Sequence, residues 1–90
     1  MRRNERKRAV LAFLASRARP ATVREIAWGT RLPYDPRGLY GLLAGYSRWG
    51  LVRRWRGPDG RFQFRIADRG RARLAWLSLN PSRAVDALSG

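Results

Sequence analysis

The sequence predicts one small, mainly α-helical domain with a β-hairpin, in the order α-α-α-β-β-α followed by a short C-terminal helical turn. Four segments carry apolar residues at helical spacing. Two short strand-like runs flank the turn sequence Gly57-Pro58-Asp59-Gly60. The 90 residues, 44% of them hydrophobic, supply one modest core. We therefore expect a single domain over residues 1–90, with a basic arm at 1–8 and a C-terminal extension at 80–90.

The first two helices are predicted from periodicity and from a capping sequence. From Asn4 to about Ala18, the apolar residues fall on one arc, with Pro20 ending the segment; they are Val10, Leu11, Leu14 and Ala18. Thr22 is a suitable N-cap for a second helix, because Glu25 stands where it completes a capping box. The inward side of that helix is expected to comprise Val23, Ile26 and Ala27.

A third helix is predicted after a connection over residues 29–35, which is longer than the turn usual between two such helices. Asp35 is the expected N-cap and Pro36 the first helical residue, with the helix running to about Gly50. One face is apolar and is expected to be buried: Leu39, Leu42, Leu43, Tyr46 and Trp49. The opposite face is small or polar and is expected to point outward: Arg37, Tyr40, Gly41, Ala44, Ser47 and Arg48.

Strands are predicted from Leu51 to Arg56 and from Arg61 to Ile66. With Arg56 paired to Arg61 across the turn, the two faces separate into an apolar and a basic set. The apolar set is Leu51, Trp55, Phe62, Phe64 and Ile66, and the basic set is Arg54, Arg56, Arg61, Gln63 and Arg65. Arg53 alone breaks this pattern. Like charges on one strand face cost stability unless an anion relieves them, which favours phosphate binding there.

The fourth helix is predicted from Asp68 to about Leu79, with Ser82 capping a last turn through Leu88. One side, with Gly70, Leu74 and Leu77, is expected to pack inward. A second apolar side has no room inside so small a domain and is expected to form a homodimer interface. Its residues are Ala72, Ala75, Trp76 and Leu79, extended by Val85 and Leu88. The alternative is that the tail covers Trp76 within the same chain.

The charge of the chain points to a polyanionic partner and away from catalysis. Lys and Arg together number 20 against 6 Asp and Glu, for a formal net charge of +14. All but Lys7 of these cations are arginine, whose planar guanidinium matches phosphates and guanine edges. Cysteine and histidine are absent, and the acids are scattered. We therefore expect no enzyme activity, no metal and no cofactor.

The basic start followed by the apolar run 9–15 superficially resembles a secretory signal, but the run is short and arginines follow it closely. No segment approaches the roughly 20 apolar residues of a membrane span. We expect a cytoplasmic, nucleoid-associated protein.

Three further features carry a resemblance to a known superfamily: the junction Trp49-Gly50-Leu51-Val52, the basic hairpin with a Pro-Asp-Gly tip, and the exit Ile66-Ala67-Asp68-Arg69-Gly70-Arg71. Over residues 7–79 the chain resembles the winged helix-turn-helix superfamily, in particular small bacterial and archaeal transcription regulators such as the multiple-antibiotic-resistance repressors. The resemblance implies that helix 36–50 enters the major groove of duplex DNA. The hairpin, or wing, over residues 53–65 would lie along the backbone or in the minor groove.

The candidate DNA-binding residues follow from the outward helix face and the basic wing face. They are Arg37, Tyr40, Gly41, Ala44, Ser47, Arg48, Arg54, Arg56, Arg61 and Arg65. Because the helix offers no Asn or Gln for adenine, sequence preference is expected to be weak or carried by DNA shape.

Alternative interpretations remain at this point. The function could be a sequence-specific regulator, a nonspecific nucleoid-type DNA-binding protein, an RNA- or ribosome-associated winged helix, or a protein-interaction domain. The tryptophans Trp28, Trp49 and Trp55 could be stacking platforms for single-stranded bases, although core packing is the expectation.

Overall fold

The computed structural model describes residues 3–31 and 36–79, with side chains from 4 to 31 and from 37 to 79. The elements are α1 (Arg3–Ala15), β1 (Ala21–Thr22), α2 (Val23–Thr30), α3 (Pro36–Arg48), β2 (Val52–Arg56), β3 (Phe62–Ile66) and α4 (Asp68–Leu79). The strands form one antiparallel sheet in the order β1-β3-β2. The predicted mainly helical fold with a hairpin is confirmed. Strand β1 was not predicted, because two residues are too few to show a period. The predicted helical turn from Ser82 to Leu88 lies outside the described residues.

The core is assembled from every helix and from the sheet. Its largest fully buried side chains are Phe64, Leu11, Ile26, Leu39, Leu43 and Val10. On α1, burial of Val10, Leu11 and Leu14 confirms the predicted apolar arc. The helix stops at Ala15, however, and Ala18 is exposed. At the other end, residues 3–8, which the sequence assigned to an arm, form the first turns of α1. Arg6 and Lys7 are half-buried there, so these turns are packed against the domain.

The predicted capping box at the start of α2 is confirmed. The backbone N–H of Glu25 donates to Thr22 Oγ1 at 3.2 Å, and the backbone N–H of Thr22 donates to Glu25 Oε1 at 3.0 Å. Arg17 Nη2 donates to the other carboxylate oxygen of Glu25 at 2.9 Å. The pKa of Glu25 lies below its ordinary value of 4.5. The main cause is the hydrogen bond from the Thr22 backbone, burial of the carboxylate opposes the shift, and Arg17 also lowers the pKa. The cap thus ties α2 to the chain that follows α1.

Helix α2 continues to Thr30, so the expectation that Gly29 begins the connection is wrong. The ring of Phe13 on α1 occupies the space that a side chain at Gly29 would need, so the last turn of α2 packs closely against α1 there. Arg31 ends the helix in the left-handed conformation, at φ 55°. Ile26 is buried, and Val23 and Ala27 pack beside it as predicted.

Helix α3 begins at Pro36 as predicted and ends two residues before the expected position, at Arg48. Gly50, at φ 78°, reverses the chain. Its N–H donates to the carbonyl of Ser47 at 3.1 Å, and that of Leu51 donates to the carbonyl of Tyr46 at 2.9 Å, which is a Schellman ending. Because this turn carries Trp49 away from the helical face, Trp49 is 71% exposed and its predicted burial is wrong.

The hairpin is one residue out of the predicted register. Arg56 pairs with Phe62, not with Arg61, and Arg54 pairs with Phe64. At the tip, the N–H of Gly60 donates to the Gly57 carbonyl at 3.0 Å, and Gly60 has φ 81°. The N–H of Gly57 in turn donates to the Arg61 carbonyl at 2.8 Å. The turn over residues 57–60 and the left-handed Gly60 together form the bulged, three-residue hairpin loop 58–60. The bulge at Gly60 shifts the strand pairing by one residue.

The shifted register changes which side chains of β2 share a face. Val52, Arg54 and Arg56 lie on the core side with the β3 phenylalanines, whereas Arg53 and Trp55 lie on the outer side with Gln63 and Arg65. The predicted single basic face is therefore wrong, as is the burial of Trp55, which is 38% exposed. Trp28 is 79% exposed because it lies across α2 from the buried Ile26.

Helix α4 has the predicted bounds and the predicted inner side. Leu77 is buried, Leu74 packs against the core, and Gly70 is buried. The outer side is exposed along its length, with Trp76 43% and Leu79 80% exposed.

Candidate nucleic-acid interface

The outward face of α3 is a strip of small residues with an arginine at each end. Arg37 and Arg48 are exposed, as is Gly41 between them. Ala44 and Ser47 are half-buried along its flank. A side chain at Gly41 would meet nothing within 4 Å. An external surface can therefore approach the α3 backbone closely at this point.

Tyr40 joins this strip to the wing. Its ring packs on Phe62 and edge-on to Phe64, at centroid distances of 5.6 and 6.4 Å. Arg54 Nη1 donates to the Tyr40 hydroxyl at 2.9 Å. The Arg54 guanidinium lies 4.9 Å from the Phe62 ring centroid and 6.0 Å from that of Tyr40. Tyr40 therefore orients a wing arginine beside α3, whereas the sequence placed it on the outward face without indicating this partner.

The remaining wing arginines on this side follow the same pattern. The Arg56 guanidinium lies 5.1 Å from the Phe62 centroid, so two guanidiniums contact the Phe62 ring. Such cation–π contacts contribute about 0.5–1 kcal/mol each at exposed sites and so favour these orientations of the guanidiniums. Arg61 is held near the tip by Asp59, whose carboxylate accepts the Arg61 backbone N–H at 3.0 Å and lies 3.9 Å from its side-chain Nε.

A concavity of about 390 Å³ lies between α2, α3 and the wing tip. It is lined by Thr22, Val23, Arg24, Tyr40, Gly60, Arg61 and Phe62. Arg24 was missed by sequence reasoning. The available signal was its place outside the inward arc of α2, next to the capping box.

One predicted site residue lies elsewhere. Arg65 is on the outer face of the sheet, opposite Arg53 and beside Trp55. The structure therefore brings together Tyr40, Arg54, Arg56 and Arg61 beside the outward face of α3, and separates Arg65 from them. Among the described residues, no group of three or more acidic, cysteine or histidine side chains could hold a metal ion. None of the helices in residues 3–31 and 36–79 is long and apolar enough to span a bilayer.

No protein-family model matches the sequence, and no curated protein matches it. Solved structures do match the fold. One of them is BpsR of Bordetella bronchiseptica, whose DNA binding is regulated by 6-hydroxynicotinic acid. It superimposes with a TM-score of 0.72 at 14% sequence identity, and the match covers 94% of this chain and 64% of BpsR. A MarR-family transcriptional regulator of Rhodococcus sp. RHA1 gives 0.63 at 23% identity, over 93% and 67% of the two chains.

The fold is a winged helix-turn-helix. In this fold α2 and α3 are the helix-turn-helix and β2–β3 the wing. Human N-acetylserotonin methyltransferase also contains it, with a TM-score of 0.58 at 24% identity over 72% of this chain and 19% of that one. The chain thus spans less than two thirds of BpsR and a fifth of the methyltransferase. Because a winged helix occurs in regulators and within an enzyme, function must be argued from the site.

Proposed function

We propose that the chain binds double-stranded DNA as a transcription regulator, without catalysis and without a cofactor. Helix α3 would enter the major groove through Arg37, Gly41 and Arg48. The wing would lie on the backbone or in the minor groove. Those proteins of the same fold that are described as DNA-binding or as transcription regulators support this proposal.

The observation that carries the proposal is the joint between α3 and the wing. Arg54 donates a 2.9 Å hydrogen bond to Tyr40, and the guanidiniums of Arg54 and Arg56 both contact the Phe62 ring, so wing cations lie beside the exposed strip of α3. In a chain of net charge +14, this is a preorganised basic surface. Preorganised guanidiniums suit a backbone of regularly spaced phosphates, because less conformational entropy is lost on binding.

The test is duplex binding across a salt series. Each neutralised phosphate contributes about −0.9 to the slope of log affinity against log salt, so five to eight contacts predict a slope of about −4 to −7. The double change Arg54→Ala with Arg56→Ala should weaken binding to all sequences and flatten the slope by about 2. The matched control, Arg8→Ala with Arg19→Ala, removes two exposed arginines from α1 and the loop after it and should change the slope less.

The α3 arginines should behave differently from the wing arginines. Arg37→Ala and Arg48→Ala should reduce the preference for a selected site over random duplex, because a bidentate base contact contributes about 1–3 kcal/mol of discrimination. If preference is absent from the start, binding is of the nonspecific nucleoid type. A slope near zero, or tighter binding to single strands or duplex RNA than to duplex DNA, would refute the proposal.

We also propose a homodimer formed through the outer side of α4. Ala72, Ala75, Trp76 and Leu79 are all exposed there, and Val85 and Leu88, outside the described residues, would extend this surface. An apolar patch built on a Trp commonly marks an interface, and two-fold pairing is the commonest way to cover one. Dimerisation would place two α3 helices about 34 Å apart, one turn of DNA.

Sedimentation at micromolar concentration should show a dimer that Trp76→Glu converts to a monomer. Trp28→Glu is the matched control, since Trp28 is a still more exposed Trp on a different helix. A wild-type monomer at high concentration, or equal effects of the two changes, would contradict an α4 interface.

A further inference from the structure

The outer face of the sheet carries a second basic site, on the side away from Tyr40 and Arg54. It is a concavity of about 410 Å³ where the base of the wing meets the start of α4. Its lining residues are Arg53, Trp55, Arg65, Ile66, Ala67, Asp68 and Arg71. Its volume lies within the range of roughly 300–1,000 Å³ typical of small-ligand sites.

The charges lining this concavity are unbalanced. Arg53 and Arg65 are direct cross-strand partners, and like charges in that position repel. Arg71 adds a third guanidinium, against the single carboxylate of Asp68. Within residues 4–31 and 37–79, none of the three arginines forms a salt bridge. A bound anion would relieve the repulsion, and guanidinium groups bind phosphate in bidentate geometry.

Trp55 gives the same concavity a planar apolar wall. The bulged hairpin loop turns its side chain outward into the row with Arg53 and Arg65, where it stays 38% exposed. An indole ring beside guanidinium groups is the combination on which nucleic-acid bases stack while their phosphates are neutralised.

We propose that this concavity binds a nucleotide, with its phosphate on Arg53, Arg65 and Arg71 and its base stacked on Trp55. The shared chemistry is one base with one phosphate, supplied either by a free mononucleotide or by an exposed single strand. The site does not depend on the duplex interface proposed above, because its residues lie on the opposite face of the sheet from Arg54 and Arg56.

The experiment is calorimetric titration of the full 90-residue chain with adenosine monophosphate, inorganic phosphate and a short oligodeoxyadenylate, with and without saturating duplex DNA. Adenosine monophosphate should bind more tightly than inorganic phosphate. Arg53→Ala with Arg65→Ala should lower affinity for all three ligands by about tenfold or more. Trp55→Ala should lower affinity for the nucleotide and the oligomer by about 5- to 150-fold and leave that for phosphate unchanged.

Controls separate this site from the fold and from duplex binding. Trp55→Phe should recover part of the lost nucleotide affinity, and Arg8→Ala with Arg19→Ala should have little effect. An unchanged circular-dichroism spectrum and unfolding temperature of Trp55→Ala would show that the variant is folded. A much tighter oligomer than mononucleotide identifies a single strand as the source, and comparable affinities identify a free nucleotide.

Three results would overturn the proposal: phosphate binding as tightly as the nucleotide, Trp55→Ala leaving nucleotide affinity intact, or duplex DNA displacing the nucleotide. The last would place this face within the duplex interface. Failure of duplex binding itself would refute the proposed regulator and leave the nucleotide site standing.

Discussion

The inner side of α4 and the outer side of α3 each carry a glycine in the middle of a contact surface, for opposite reasons. At Gly70 on α4, a Cβ atom would overlap the carbonyl oxygen of Leu51 and lie 2.9 Å from Cγ1 of Ile66. At Gly41 on α3, a Cβ atom would meet nothing within 4 Å. The first glycine is required by packing, because it lets α4 reach the backbone where α3 turns into the wing.

The second glycine has no such explanation among the described residues. A glycine inside a helix costs about 0.5–1 kcal/mol relative to alanine. Gly41 carries that cost without allowing any contact within the fold. The proposed DNA interface would account for this cost, because a side chain at Gly41 would keep the DNA away from the α3 backbone. The comparison therefore separates a surface determined by folding from one left available for binding.

The largest expected effect is on stability at Gly70. Gly70→Ala forces α4 away from Leu51 and should lower the free energy of unfolding by about 1–3 kcal/mol, the usual cost of overpacking. Urea denaturation followed by tryptophan fluorescence measures it. A neutral or stabilising result would mean that α4 is not seated on the α3–wing junction, and the contrast with Gly41 would disappear.

The intermediate effect is a change of opposite sign at Gly41. Gly41→Ala should raise the free energy of unfolding by about 0.5–1 kcal/mol through helix propensity alone. The same variant should bind duplex DNA more weakly, because the methyl group stands in the approach path. Gly45→Ala is the comparison: its site is equally open to a Cβ atom and lies one turn further along the same face of α3, but Gly45 is half-buried where Gly41 is exposed, so its loss of affinity should be smaller. Equal losses of affinity in both variants, or none in Gly41→Ala, would remove the argument for close approach at Gly41.

Local chemistry explains which parts of this fold could be predicted from sequence. The capping box of Thr22 and Glu25 was predictable because both partners lie within one helical turn. The apolar arc of Val10, Leu11 and Leu14 was predictable because helical periodicity records burial directly. The same holds for both ends of α4.

The candidate site was predicted less well, because it depends on one residue at the hairpin tip. Gly60 in the left-handed conformation forms a bulge that shifts the strand pairing by one residue and moves every side chain of β2 to the other face. The amphipathic pattern favoured the wrong register, because that register leaves only Arg53 on the apolar face, whereas the observed register places Arg54 and Arg56 there. The contact of Tyr40 with Arg54 is non-local, and no pattern within α3 alone could have indicated it.

The smallest expected effect concerns the cap of α2, where a surface carboxylate stabilises the fold without contributing to either glycine surface. Because the pKa of Glu25 is lowered in the folded chain, its stabilisation is present above the ordinary value of 4.5 and is lost as pH falls through the folded pKa. Glu25→Gln should therefore be less stable than the wild type near neutral pH, and the difference should shrink on acidification.

Arg17→Met keeps the Thr22 backbone hydrogen bond, the largest cause of the shift, so it should retain most of the pH dependence that Glu25→Gln loses. Thermal denaturation of the three chains from neutral to acidic pH measures both effects. If Arg17→Met abolished the dependence as fully as Glu25→Gln, the ion pair at 2.9 Å and not the capping hydrogen bond would be the main cause of the lowered pKa.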